Sequence, residues 1–253
     1  MKILITNDDG IFAEGILKLA CSLEKIAKIF IVAPDRQRSA TGHAITMHEP
    51  IRASKVKLLD RNFEAWSVSG TPTDCVKLGI EVLLRERPDL IFSGINSGAN
   101  LGTDVLYSGT VSAAIEGAIL GFPSAAVSLA DFSELDYDYA AEFSLTLAKK
   151  MMENKLPPDT LLNVNVPNCK KEEIRGVSIT TLGVRKYKNS FIERIDPRGQ
   201  AYYWLGGEIV DEDHLEGSDL YCVKNKMISI TPIHFDLTKF NLIRDLESWN
   251  ISL

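Results

Sequence analysis

The chain has 253 residues, a length suited to one large domain or to a core with a smaller appended portion. Hydrophobic residues make up 45% and charged residues 25%, ordinary for a soluble globular protein, and no apolar run approaches the length of a membrane span. The net charge of −6 argues against a nucleic-acid duplex as the main partner, but not against a small phosphorylated substrate whose charge is met locally.

Met1 to Thr6 read as a short strand, with Ile3, Leu4 and Ile5 consecutive. An apolar run without alternation suits a strand buried on both faces of a parallel sheet. It ends in Asn7, Asp8, Asp9 and Gly10, and a helical pattern of Ile16, Leu19, Ala20, Leu23 and Ile26 follows. Lys28 to Ala33 is a second buried strand, stopped by Pro34, and Phe63 to Ser69 is a third. Thr71-Pro72-Thr73-Asp74 is a strong helix start: Thr71 can cap, Pro72 suits the first helical position, and Asp74 sits where a capping-box acid would. Val76, Ile80, Leu83 and Leu84 give that helix a buried face. Leu90 to Ser93 is a fourth strand, Thr110 to Leu120 a small-residue helix closed by Gly121, and Ser124 to Leu129 a fifth strand. The alternation predicts an α/β fold with a doubly wound, mostly parallel sheet, Rossmann-like in outline.

After about residue 130 the pattern changes. Ala140 to Asn154 is a helix and Leu161 to Val166 one more sheet strand. Residues 176–207 alternate, with Asp196-Pro197-Arg198-Gly199 as a turn between two arms, an extended β-hairpin. Its aromatic run, Tyr202-Tyr203-Trp204, reads as cross-strand packing or an oligomer contact before a base-stacking surface. Met227 to Pro232 is a late strand and Leu242 to Trp249 a terminal helix. No repeat, low-complexity tract or long linker intervenes. The expectation is one unit over 1–253: a core over 1–130 that carries the site, and a smaller portion over 131–253 that completes it. Cys21, Cys75, Cys169 and Cys222 are scattered, which argues against zinc or a disulfide framework, and three of them in apolar surroundings read as small core residues. The chain opens directly into a strand with no signal peptide, so a cytoplasmic protein is expected.

Four segments fall at strand-to-helix junctions on one edge of the expected sheet, where open α/β sheets hold ligands. They are residues 7–10, 33–43, 93–102 and 108–110. Asp8 and Asp9 are adjacent carboxylates, costly together unless a cation joins them, although Asn-Asp-Asp-Gly is also good turn chemistry. Ser39 can add a hydroxyl oxygen and Asn96 an amide oxygen, though singly each also reads as a plain loop or turn residue. The four oxygens suit Mg²⁺ or Mn²⁺ better than zinc. Ser108-Gly109-Thr110 at a helix start is a candidate phosphate cradle, with free N–H groups and a glycine that allows close approach, or a plain N-cap by Ser108. Arg36 and Arg38 could meet a phosphate, and His43 could protonate a leaving oxygen, although a lone loop histidine is more often structural. Asn7 and Asn100, in the same loops, complete the candidate substrate-site residues. Neither a Walker sequence nor a dinucleotide fingerprint is present.

These segments resemble the SurE family of nucleotidases over nearly the whole chain. The resemblance rests on Ile-Thr-Asn-Asp-Asp-Gly (5–10), Val-Ala-Pro-Asp-Arg-Gln-Arg-Ser-Ala-Thr-Gly-His (32–43), Gly-Thr-Pro-Thr-Asp-Cys-Val (70–76), Ser-Gly-Ile-Asn-Ser-Gly-Ala-Asn-Leu-Gly (93–102) and Tyr-Ser-Gly-Thr-Val-Ser-Ala-Ala (107–114). Asp-Pro-Arg-Gly-Gln-Ala-Tyr-Tyr-Trp (196–204) and Ser-Ile-Thr-Pro-Ile (229–233) extend it. It implies a divalent-metal phosphomonoesterase acting on nucleoside 5′- or 3′-monophosphates, with some members trimming short polyphosphate. The family's metal ligands fall on Asp8, Asp9, Ser39 and Asn96, one ion per subunit, Mg²⁺ or Mn²⁺. It also implies a Rossmann-like core and a homodimer or homotetramer built through C-terminal elements, here the arms over 185–206 and the terminal helix.

The expected chemistry is hydrolysis by a metal-held water, with Asp8 or Asp9 orienting or deprotonating it and the 108–110 helix start holding phosphoryl oxygens. Direct attack by Asp8 to give an aspartyl-phosphate is a rival route. The alternative of another class is a nucleotide-binding or sensing protein without turnover. An oligomeric scaffold built on the aromatic hairpin is a third reading, and it leaves the four polar loops unexplained.

Overall fold

The computed structural model describes residues 1–59, 61, 63–130, 135–189, 191–210 and 215–251. β1 (Lys2–Thr6) is followed by α1 (Glu14–Leu23), β2 (Lys28–Pro34), β3 (Ala53–Val56), β4 (Glu64–Val68), α2 (Pro72–Leu78), β5 (Leu90–Ser97), α3 (Gly109–Ile119), β6 (Ser124–Ala130), α4 (Asp138–Glu153) and β7 (Thr160–Pro167). Then come β8 (Val177–Ile179), β9 (Lys186–Lys188), β10 (Phe191–Ile195), β11 (Ala201–Leu205), β12 (Glu208–Val210), α5 (Asp219–Lys224), β13 (Ile228–His234) and α6 (Phe240–Glu247).

Ile3, Leu4 and Ile5 are fully buried because β1 lies in the middle of a nine-stranded sheet of order β3-β4-β2-β1-β5-β6-β7-β13-β8. From β4 to β7 every neighbouring pair is parallel. β3 runs antiparallel to β4, and β13 antiparallel to β7. Side chains alternate between the two faces of β1. Ile3 and Ile5 pack with Ile16 and Leu19 of α1 and Ala140 and Leu147 of α4. Leu4 packs on the opposite face with Val76 of α2 and Ala113 of α3. Helices on both faces make the sheet doubly wound, as expected from the alternating elements.

The chain runs outward from β1 through β2 to β4, then returns to β5 on the other side of β1 and runs outward to β7. The order therefore reverses between β1 and β5, and the crevice at their carboxyl ends is the fold's natural ligand site. Gly15 of α1 lets the helix lie on β5, since a Cβ there would collide with the Ile95 carbonyl oxygen.

Local chemistry explains the elements. Thr71 caps α2 by accepting the Asp74 N–H, and the Asp74 carboxylate accepts the Thr71 N–H in return, with Pro72 inside the first turn. The hairpin pairs Arg194 with Tyr202 and Ile192 with Trp204, and Asp196 Oδ1 accepts N–H groups of Arg198 and Gln200 at its turn. All ten residues of β10 and β11 are exposed, and α6 buries none of its residues. Among the described residues no helix is long and apolar enough to cross a membrane.

The structure differs from the sequence reading in several places. β3, unread because three of its four residues, Ala53, Ser54 and Lys55, are exposed and give no apolar face, forms to cover the open edge of β4. α5 was also unread; at six residues it is too short to show a period, and Ser218 caps it. β5 runs on past Ser93 to Ser97 through an irregularity between Gly94 and Asn96, so Asn96 lies on the strand's end and not in the loop. α4 starts at Asp138, ahead of Ala140, and α6 spans Phe240–Glu247 in place of Leu242 to Trp249. Cys75 and Cys222 are buried, whereas Cys21 and Cys169 are half-buried, so two cysteines and not three are core residues; all four are free thiols.

Candidate active site

β1 delivers Asn7, Asp8 and Asp9 to the crevice. Asn7 is fully buried and builds the turn: its Nδ2 donates to the Gly10 carbonyl at 2.9 Å and its Oδ1 accepts the Gly10 N–H at 3.2 Å. The Asn7 amide is thereby engaged within its own loop.

Asp8 and Asp9 are held by opposite walls. Asp8 is 4% exposed and lies against the first turn of α3, where the Thr110 hydroxyl donates to its Oδ1. A Cβ on Gly109 would come 2.8 Å from Asp8 Cβ and 3.0 Å from Oδ2, so only glycine admits the carboxylate here. Burial pushes the Asp8 pKa up to about 6 and the neighbouring Asp9 adds to the rise, while the Thr110 hydroxyl and N–H oppose it. Asp9 turns to β5, its Oδ2 accepting the Ser97 N–H at 3.0 Å, and burial raises its pKa as well.

The second segment is strapped to the first: the Arg38 N–H donates to the Asp8 carbonyl at 2.7 Å, which sets Ser39 beside it in the chain. Ser39 Oγ accepts from Gln37 Nε2 at 2.9 Å. The Arg38 guanidinium turns away from the expected phosphate role, donating from Nη2 to the Ser69 carbonyl at 2.6 Å and lying 3.7 Å from Asp35; Arg36 is exposed. The loop then crosses to α3. The Gly42 N–H donates to the Tyr107 carbonyl at 3.1 Å, and His43 Nε2 is 3.0 Å from Oε2 of Glu116, a buried acid on α3. Lys77 stands 3.7 Å from the other Glu116 oxygen.

On the third segment Asn96 Nδ2 donates to the Gly98 carbonyl at 2.8 Å, which leaves its amide oxygen as the group it can offer a ligand. Asn100 is a buried junction. Its N–H donates to Asn165 Oδ1, its Nδ2 to Ser128 Oγ, and its carbonyl accepts from both Asn163 and Asn165. In the fourth segment Ser108 is a true N-cap, its Oγ accepting the Val111 N–H at 3.1 Å. With the Val111 N–H taken by Ser108 Oγ and both the hydroxyl and N–H of Thr110 turned to Asp8, the cradle's remaining donor for an anion is the Gly109 N–H.

The donor chemistry fits a hard divalent cation. Two carboxylates, one deeply buried and destabilised in its charged form, stand at the end of β1; Asp9 accepts the N–H of Ser97, the residue after Asn96, and the Asp8 carbonyl accepts the N–H of Arg38, the residue before Ser39. Among the described residues no three His, Cys, Asp or Glu side chains are grouped to hold a metal, so any ion here would draw on amide, hydroxyl or water oxygens beside the two carboxylates.

The sequence reading missed three partners: Ser97 through its backbone N–H, Glu116 as the acid beside His43, and the Asn163–Asn165–Ser128 support under Asn100. The last had a visible signal, two asparagines set alternately into the apolar run of β7.

The family model described as Survival protein SurE matches residues 3–189. "5′-nucleotidase SurE" of Alkaliphilus metalliredigens (strain QYMF) is 53% identical over 252 residues, covering 99% of each chain. The protein of the same description from Thermoanaerobacter pseudethanolicus is 52% identical over 253 residues and all of both chains. The crystal structure of the Sure protein from Aquifex aeolicus superposes with a TM-score of 0.88 at 40% identity, covering 99% of this chain and 100% of that one. A match this long, through both the core strands and the loops at their carboxyl ends, makes this chain a member of the SurE family.

Proposed function

We propose that the chain hydrolyses nucleoside 5′-monophosphates to nucleoside and inorganic phosphate, at the crevice between β1, β5 and the first turn of α3. Full-length relatives described as 5′-nucleotidases support this activity. The observation that carries it is the Asp8 carboxylate, buried beside Asp9 and under the N-terminus of α3. Asp8, Asp9, Ser39 and Asn96 would hold one divalent ion, Mg²⁺ or Mn²⁺. When bound, such an ion supplies Lewis-acid polarisation of a phosphoryl oxygen and acidifies water. Thr110 fixes Asp8 and the Ser97 N–H fixes Asp9, so each carboxylate has a set direction before substrate arrives. Asp8 or Asp9 orients or deprotonates the attacking water. The start of α3 at Ser108, Gly109 and Thr110, with the Gly109 N–H as its free donor, meets the phosphoryl oxygens as charge redistributes.

The proposal extends to 3′-monophosphates and short polyphosphate, because the groups gathered here address a phosphoryl group and not a particular ribose oxygen. It also takes residues 1–253 as one unit, supported by a sheet that includes both β1 and β13. The exposed apolar residues of the β10–β11 hairpin and of α6 support a homodimer or homotetramer.

The test is phosphate release from a panel of nucleoside monophosphates with EDTA, Mg²⁺ or Mn²⁺, on the wild type and Asp8→Asn. Metal-dependent release lost in the variant is expected. Nucleotide binding with no release under any metal would replace the proposal with a sensing role.

A further inference from the structure

Resting on the nucleotidase reading, the geometry points to Phe12 and Tyr107 as an apolar wall on which the substrate's base lies. Phe12 follows Asp9 by three residues and Tyr107 immediately precedes Ser108, so the two rings rise from two of the loops that build the crevice. Each is about two thirds in solvent, Phe12 at 65% and Tyr107 at 66%. Each segment also has an inward anchor: Ile11, next to Phe12, is fully buried, and Val105, two residues before Tyr107, is 6% exposed. Both segments are also held by backbone bonds. The Ile11 N–H donates to the Pro34 carbonyl at 2.8 Å and the Ala13 N–H to the Gly10 carbonyl at 3.0 Å. The Tyr107 N–H donates to the Asp104 carbonyl at 2.9 Å, and its carbonyl accepts from Gly42.

Single exposed apolar residues are common on any protein, but grouping of them is not. Ile45, Met47 and Leu106 are also exposed, on the loop that crosses the crevice and next to Tyr107. Over residues 1–130 the other exposed large hydrophobics, Met1, Leu59, Val82 and Ile119, belong to none of these loops. The occupant follows from position. A nucleotide whose phosphoryl group sits at Asp8 and the first turn of α3 extends its ribose and base outward past the residues that flank those groups. Three asparagines of these loops bond within the protein: Asn7 to Gly10, Asn96 to Gly98 and Asn100 to Ser128. A surface of π-faces accepts every base and prefers the larger purines.

The experiment compares AMP with ribose 5-phosphate, which carries the same phosphoryl group and pentose without a base. In Tyr107→Ala and Phe12→Ala the KM for AMP should rise on the order of tenfold relative to that for ribose 5-phosphate, with kcat for AMP much less affected. Tyr107→Phe should restore the wild-type ratio. A KM ratio unchanged from wild type in both alanine variants overturns the wall. Saturation transfer from protein to adenosine protons provides a readout free of turnover: wild type should saturate the base protons and Tyr107→Ala should not. Base-proton saturation lost in Tyr107→Ala, in a protein that hydrolyses no nucleotide, would sustain the wall and remove the nucleotidase reading. Equal saturation of adenosine by wild type and both alanine variants removes the wall whatever the turnover.

Discussion

The Thr110 hydroxyl donates to Asp8 Oδ1 from the first turn of α3, so the buried carboxylate at the end of β1 is aimed by a helix that begins about a hundred residues later. The bond joins two of the four loop segments directly. Thr110→Val keeps the shape and removes the donor. A hydrogen bond to a charged group contributes about 1.5–3 kcal/mol, so affinity for Mn²⁺ should fall on the order of tenfold or more. Calorimetric titration of Mn²⁺ checks this, and Thr110→Ser should bind as wild type. Equal affinity in Thr110→Val would show that Asp8 is aimed by other contacts.

Gly109 admits that carboxylate by having no side chain. A Cβ placed there stands 3.0 Å from Asp8 Oδ2, and Asp8 has little room to retreat because it is 4% exposed. Gly109→Ala should lower phosphate release by at least about tenfold, while the strain removes about 1–3 kcal/mol of stability. Urea unfolding run beside the assay separates the two effects. An active variant of wild-type stability would mean that the first turn of α3 yields freely.

The parts of this site that the sequence exposed are those set within one segment. The unalternated run Ile3-Leu4-Ile5 places Asp8 and Asp9 at a strand end, and Thr71 to Asp74 spells out a cap that the structure contains. The parts it hid depend on where distant segments meet. Arg38 looks like a phosphate ligand until the Ser69 carbonyl is seen to take its guanidinium. Thr110 looks like cradle chemistry until Asp8 is found against it. Asn96 reads as a turn residue because the irregularity that carries β5 to Ser97 leaves no mark in hydrophobic periodicity. β3 was invisible for a different reason: an edge strand open to solvent needs no apolar face.

His43 can be a proton donor or a structural loop residue by sequence, and the structure pairs it with Glu116. An anchoring role and a proton-donating role separate kinetically. If His43 pins the loop across the crevice, His43→Asn should raise KM by about three- to tenfold, the equivalent of one modest hydrogen bond, with kcat nearly unchanged. A fall in kcat of two or more orders of magnitude, with loss of the alkaline limb of the pH–rate profile, would instead make His43 the general acid.

Metal-free stability should carry the signature of Asp8. Its pKa is raised from 3.8 in the unfolded chain to about 6 in the fold, chiefly by burial. Below the lower value both states hold the proton and nothing is lost. As pH rises from about 4 to 6 the unfolded chain releases its proton first, so the fold loses stability across that window and stays lowered above it. The shift corresponds to on the order of 2–3 kcal/mol. Urea unfolding in EDTA between pH 4 and pH 8 should show this decline, and Asp8→Asn should reduce it to the part that Asp9, also raised by burial, contributes, because the amide does not titrate. Saturating Mn²⁺ should reverse the decline at neutral pH, since a cation stabilises the ionised pair that burial penalises. If metal-free wild type and Asp8→Asn share one pH–stability curve, the Asp8 carboxylate is solvated well enough to need no cation, and the case for it as the centre of the metal site falls.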